Sequence, residues 1–135
     1  MILFVCRGNM FRSPIAKAFY NAYAKDGSQA ESAGIWVDRE HHAGIKLCDM
    51  GGLHNSIAYM KDRGIDISQE VGTELTQDMA DRADKIFVMA EEEIWPEYLK
   101  NNPRVVVWDV PNPDVVEPED AKQVGEQLEA LVKTI

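Results

Sequence analysis

Three residues near the start of the chain carry chemistry by type and spacing: Cys6, Arg12 and Ser13. Between the cysteine and the arginine lie Arg7, Gly8, Asn9, Met10 and Phe11. A thiolate is a strong nucleophile, and a guanidinium offers a planar fork that matches two oxygens of a phosphate. A loop that runs into a helix N-terminus turns its backbone N–H groups toward an anion, helped by the helix dipole. Gly8 allows such a loop to curl tightly. The same positive field favours the thiolate form of Cys6. Facing a bound phosphate, that thiolate can attack phosphorus and give a phosphocysteine, which water then hydrolyses. The amides of residues 7–11 and the Arg12 side chain would stabilise charge on the equatorial oxygens in both steps. Ser13 can hydrogen-bond the sulfur as it departs in the second step. A cysteine after an apolar strand is commonly only a small core residue, so the reading depends on a strand–loop–helix context around the motif.

The pattern along the chain supplies that context. Residues 2–5 (ILFV) form an apolar run of strand type, and residues 13–25 read as a helix. Ser13 is a good N-cap, Pro14 suits the first helical position, and Ile15, Ala18, Phe19 and Ala22 recur at helical spacing. Further strands are expected at 29–33, 85–89 and 104–108. Helices are expected at 52–63 (stopped by Gly64), 76–82 (capped by Thr76), 95–100 (opened by Pro96) and from 119 to the end. In the last helix Val124, Leu128, Leu131 and Ile135 should share a face. Residues 35–51 show no clear period and read as a loop. Continuous apolar strands alternating with helices predict an α/β fold, a four-stranded parallel sheet with helices on both faces. Ligands of such sheets bind beyond the carboxyl ends of the strands, where Cys6 would stand. No linker or repeat interrupts residues 1–135, which read as one domain.

Composition excludes several functions. The formal charge is −9, from 14 basic and 23 acidic residues, and no basic stripe exists to bind nucleic acid or an anionic membrane. No apolar stretch is long enough to span a bilayer, and residues 1–6 are too short for a signal peptide. Two distant cysteines, Cys6 and Cys48, do not make a disulfide framework, and a reducing cytoplasm is the expected setting. Cys48 reads as a buried or loop thiol. His41, His42 and His54 lack partners at ligand spacing, so no metal and no cofactor is expected. The expected partner is a phosphorylated protein or a small phosphomonoester, acted on by a monomer or weak dimer.

The string Val5-Cys6-Arg7-Gly8-Asn9-Met10-Phe11-Arg12-Ser13-Pro14-Ile15-Ala16 closely resembles the phosphate loop of the low-molecular-weight protein tyrosine phosphatases. The resemblance continues in Glu31-Ser32-Ala33-Gly34, Gly64-Ile65-Asp66-Ile67-Ser68, Ala83 to Met89 and Trp108-Asp109-Val110-Pro111. It implies a four-stranded parallel sheet, Cys6 as nucleophile and Arg12 as phosphate clamp. It also implies a network of Asn9, Ser13 and Ser32 that holds the loop in shape.

The chain departs from that family in its acid. The family places an Asp-Pro pair after the last strand to protonate the leaving oxygen; here the pair is Asn112-Pro113, and an amide is no acid. Asp114 is the expected substitute and Asp109 the second choice. Asp114, Val115 and Val116 stand where many relatives carry aromatic residues that hold a phosphotyrosine ring. Gly72, Thr73 and Glu74 replace the family's usual arginine before Leu75. Three readings compete with an active phosphatase. An arsenate reductase of this fold needs two further cysteines. A phosphoarginine phosphatase carries Thr in place of Met10. A phosphate-binding module would have lost turnover together with the acid.

Overall fold

Alternation along the first strand decides which side of the sheet carries the chemistry. In the computed structural model, which describes residues 1–135, β1 (Ile2–Cys6) is the second strand of a four-stranded parallel sheet. The others are β2 (Ala30–Gly34), β3 (Lys85–Val88) and β4 (Val105–Val107), in the order β2-β1-β3-β4. Register runs from Ile2 opposite Ala30 and Lys85 to Cys6 opposite Gly34. The chain leaves β1 for β2 on one side and later returns to place β3 on the other. The carboxyl end of β1 therefore stands at the point where the strand order reverses, the crevice that binds ligands in open α/β sheets.

Leu3 and Val5 point to one face and Phe4 and Cys6 to the other. On the Phe4 side lie α1 (Arg12–Tyr23), α2 (His54–Asp62) and α4 (Pro118–Val132). Their buried Ile15, Phe19, Met60, Val124 and Leu128 join Phe4, Phe87 and Trp108 in the larger core. The Phe4 ring is fully buried, with ring centroids of Phe87, Trp108 and Tyr20 at 5.5, 5.7 and 6.1 Å. On the Leu3 side, α3 (Gln77–Arg82) and two 3-10 turns at Glu92–Ile94 and Glu97–Leu99 bury Met79, Ala80, Trp95 and Leu99 against Val5, Ile86 and Val88. The expected four-stranded parallel sheet with helices on both faces is the observed one.

Several boundaries differ from expectation. The N-cap of α1 is Phe11, not Ser13, because the Ser13 hydroxyl is engaged with Cys6 Sγ at 3.0 Å. Pro14 is the third helical residue, where its missing N–H would have had no helical partner. Helix α1 ends at Tyr23 and leaves Ala22 exposed. Ile135 lies past the end of α4 and is 46% exposed; Val132 takes the core position. The 95–100 helix is reduced to the turn after Pro96. Cys48 is exposed, on a 3-10 turn at Leu47–Asp49 that is the sole helical element of residues 35–51. Other expectations match: Thr76 Oγ1 caps α3 by accepting from the Met79 amide at 3.2 Å, and Gly64 closes α2 with φ +80°.

Helices α2 and α4 meet with almost no space between them at Gly125. A Cβ there would lie 2.2 Å from Cε1 of Tyr59 and 2.8 Å from its Cζ. A rigid ring cannot yield as a flexible chain would, so Gly125→Ala is expected to cost about 1–3 kcal/mol through overpacking. Urea unfolding measures this; an unchanged midpoint would show that the helix pair has slack.

Candidate active site

Cys6 ends β1 and is 2% exposed. Its sulfur receives the backbone N–H of Asn9 at 3.3 Å and lies 3.0 Å from Ser13 Oγ. The chain can turn back so sharply because Asn9 takes a left-handed conformation, φ +53°, which Asn tolerates better than most residues. The Asn9 side chain, 1% exposed, then fixes the turn from beneath. Its Nδ2 donates to Ser13 Oγ at 2.7 Å and to Ser32 Oγ at 3.1 Å, and its Oδ1 accepts from the Thr73 amide at 2.9 Å. A hydroxyl carries one proton. Ser13 Oγ accepts from Asn9, and its own proton has two acceptors in reach, the sulfur at 3.0 Å and the Ala33 carbonyl at 3.5 Å.

The structure thus gathers Cys6, Asn9, Ser13 and Ser32 in one buried cluster. It adds Thr73, which sequence reasoning missed. Residues 72–75 run beside the end of β2: Gly34 N–H donates to Thr73 O at 2.9 Å and Leu75 N–H to Gly34 O at 2.8 Å. Glu74 is pushed above the usual carboxylate range by burial, against the Asp38 amide that it accepts at 2.8 Å. Gly34 also makes room for the loop. A Cβ there would lie 2.8 Å from both the Arg7 carbonyl oxygen and the Asn9 nitrogen.

Arg12 is 3% exposed at the first turn of α1. Its Nη1 donates to the Met89 carbonyl, just past β3, and to the Val110 carbonyl at 3.3 Å, past β4. No protein group bonds Nε or Nη2, so two donor atoms of the guanidinium remain for an anion.

Above the loop opens a cavity of about 340 Å³. Cys6, Arg7, Gly8, Met10, Phe11 and Arg12 line it from the loop side, and Asn112 to Val116 form one wall. Glu40, His42 and Gly51 to Leu53 form the other. Asn9, expected among the phosphate-binding residues, does not line the cavity; its amide is spent on the sulfur and its side chain lies behind the loop. Asp109, the second choice of acid, is also absent from the lining. Trp108 and Val110 are buried on either side of it, and Asp109 itself is exposed. Asp114 does line the cavity, beside Asn112. Trp36 lines a separate cavity, under the Arg39 guanidinium. Most of the second wall was not foreseen, because residues 35–51 have no period to read. Its only signal was position: the segment follows Gly34 at the carboxyl end of β2.

Two substitutions test this construction. Asn9→Ala removes three side-chain hydrogen bonds and leaves buried partners unpaired, so it should cost about 1–3 kcal/mol in urea unfolding. Gly34→Ala should shift the backbone of residues 7–9 and weaken binding of a phosphate analogue such as vanadate at least tenfold, about 1.4 kcal/mol. Unchanged vanadate affinity would show that the loop does not depend on that close approach.

Known proteins share this architecture and the chain's sequence. A Wzb protein from Vibrio vulnificus, solved in complex with benzylphosphonate, superposes with a TM-score of 0.80, covering 99% of this chain and 97% of its own at 22% identity. A low molecular weight protein tyrosine phosphatase from T. tengcongensis gives a TM-score of 0.79 over 98% of this chain and 94% of its own, at 26% identity. In sequence, an arsenate reductase of Halalkalibacterium halodurans is 29% identical over 99% of this chain and 93% of its own. A probable low molecular weight protein-tyrosine-phosphatase, EpsP, of Ralstonia solanacearum is 36% identical over 65% of this chain and 54% of its own. The family profile described as low molecular weight phosphotyrosine protein phosphatase matches residues 1–135. With that match over its full length, the chain belongs to the low molecular weight phosphotyrosine protein phosphatase family and is a phosphatase of the cysteine-based type.

Proposed function

We propose that the protein hydrolyses phosphomonoesters through a phosphocysteine at Cys6, with phosphotyrosine in a protein as the substrate class its family suggests. One observation carries this reading: Cys6 Sγ is held by the Asn9 amide and the Ser13 hydroxyl at the base of a cavity that the Arg12 side chain also lines. Bound phosphate would take the amides of the loop and the free Nε and Nη2 of Arg12. Sγ attacks phosphorus, an S–P bond forms and the P–O ester bond breaks. Asp114 gives its proton to the departing oxygen. Water then attacks phosphorus, its proton passes to the Asp114 carboxylate, and the S–P bond breaks with Ser13 hydrogen-bonded to the leaving sulfur. The Met10 side chain, rather than a hydroxyl, faces the cavity and suits an aryl ester. Residues 1–135 would act as one domain, a monomer or weak dimer, in the cytoplasm. No helix is long and apolar enough to cross a membrane.

Arsenate reduction is disfavoured because the chain holds only two cysteines, Cys6 and Cys48, where that chemistry in this fold needs two beyond Cys6. Asn112 supports a second reading, a module that holds a phosphorylated partner without turning it over. Aryl phosphates with leaving groups of graded pKa separate the readings. The expected outcome is turnover by the wild type and none by Cys6→Ser. Asp114→Asn should slow esters of poor leaving groups by about 10²-fold and good ones far less. A steep leaving-group dependence that Asp114→Asn leaves unchanged would remove Asp114 from the mechanism. Absence of Cys6-dependent turnover on every ester would leave the binding module as the better account.

A further inference from the structure

The cavity is lined by a second carboxylate besides Asp114, that of Glu40, and the cation that pairs with it is shared. Glu40 Oε1 lies 3.2 Å from Arg7 Nε and its Oε2 lies 4.0 Å from His42 Nδ1. Glu40 Oε2 also sits 3.0 Å from where a Cβ on Gly8 would be, so the acid leans directly over the phosphate loop. Arg7 is the one cation outside the buried clamp, and it is shared: its Nη1 is 4.0 Å from Glu91. Glu91, Glu92 and Glu93 form an exposed acidic run just past β3, and Asp114 lines the same cavity as Glu40. No lysine lines the cavity. A phosphate dianion entering this mouth thus meets positive charge only at the loop and at Arg12, within a chain of net charge −9. The remainder of any substrate faces carboxylates.

We infer that Glu40 is a specificity-determining residue that selects phosphotyrosine peptides with Lys or Arg beside the phosphorylated position. This rests on the phosphatase reading above and names its substrate class. Such a peptide brings the counter-charge that the walls lack, and an acidic flank is repelled from both sides.

The test is a binding titration of Cys6→Ser with three versions of one phosphotyrosine peptide, flanked by lysine, by neutral residues or by glutamate. The lysine peptide should bind about tenfold more tightly than the glutamate peptide at low salt. The gap should shrink several-fold in 0.5 M salt, roughly the range where exposed charges are screened. Adding Glu40→Gln should reduce it to about two- or threefold, and Glu40→Lys should reverse it. Equal affinities, a gap indifferent to salt, or a gap untouched by Glu40→Lys would overturn the inference. So would failure of all three peptides to bind. Wild-type turnover of an uncharged aryl phosphate then tells whether the phosphatase reading falls with it.

Discussion

The site hangs on one side chain, the buried amide of Asn9. A left-handed turn at residue 9 is what brings its backbone N–H back to the sulfur of Cys6. That turn is unfavourable for an L-residue on its own, and three hydrogen bonds from the same residue hold it: to Ser13 on α1, to Ser32 on β2 and to Thr73 beside β2. One residue therefore ties the loop to the helix after it and to the strand next to it. Asn9 also donates to the Ser13 hydroxyl that touches the sulfur, so the turn and the sulfur's surroundings share one residue.

Arg12 plays the complementary part from the other side of β1. Its guanidinium reaches across the sheet edge to carbonyls beyond β3 and β4. A buried cation is costly unless it is hydrogen-bonded. Here the ends of two strands satisfy one nitrogen, and the others are left to the cavity. The rings of Phe4, Phe87 and Trp108 pack against one another, with centroids 4.5 to 5.7 Å apart, and hold β1, β3 and the segment after β4 together. The core thus sets the spacing between the loop and the wall that carries Asp114.

Much of this was legible in residue order. The apolar runs at 2–5 and 85–89 had to be buried strands, and the loop had to sit between a strand end and a helix start. The roles of Asn9, Ser13 and Ser32 came through resemblance, since nothing in their spacing shows that residues 9 and 32 touch. Ser13 misled as a cap because its hydroxyl had a better partner in the sulfur, a choice made by tertiary contact rather than local propensity. Glu40, His42 and Thr73 were invisible: they lie on irregular segments whose position is set by what they pack against. Asp114 was preferred to Asp109 because Asp109 sits at the strand end; Asp114 lines the cavity, while Asp109 is exposed between the buried Trp108 and Val110.

The partners of the loop lie far along the chain. Asn9 bonds a residue 64 positions away, and Arg12 bonds carbonyls 77 and 98 positions away. Contacts of such separation form only after the entropy of closing long loops has been met. The loop therefore cannot take its shape from its own residues alone: it needs the segments around Thr73, Met89 and Val110 in place, so assembly of the sheet and assembly of the cavity floor are one event.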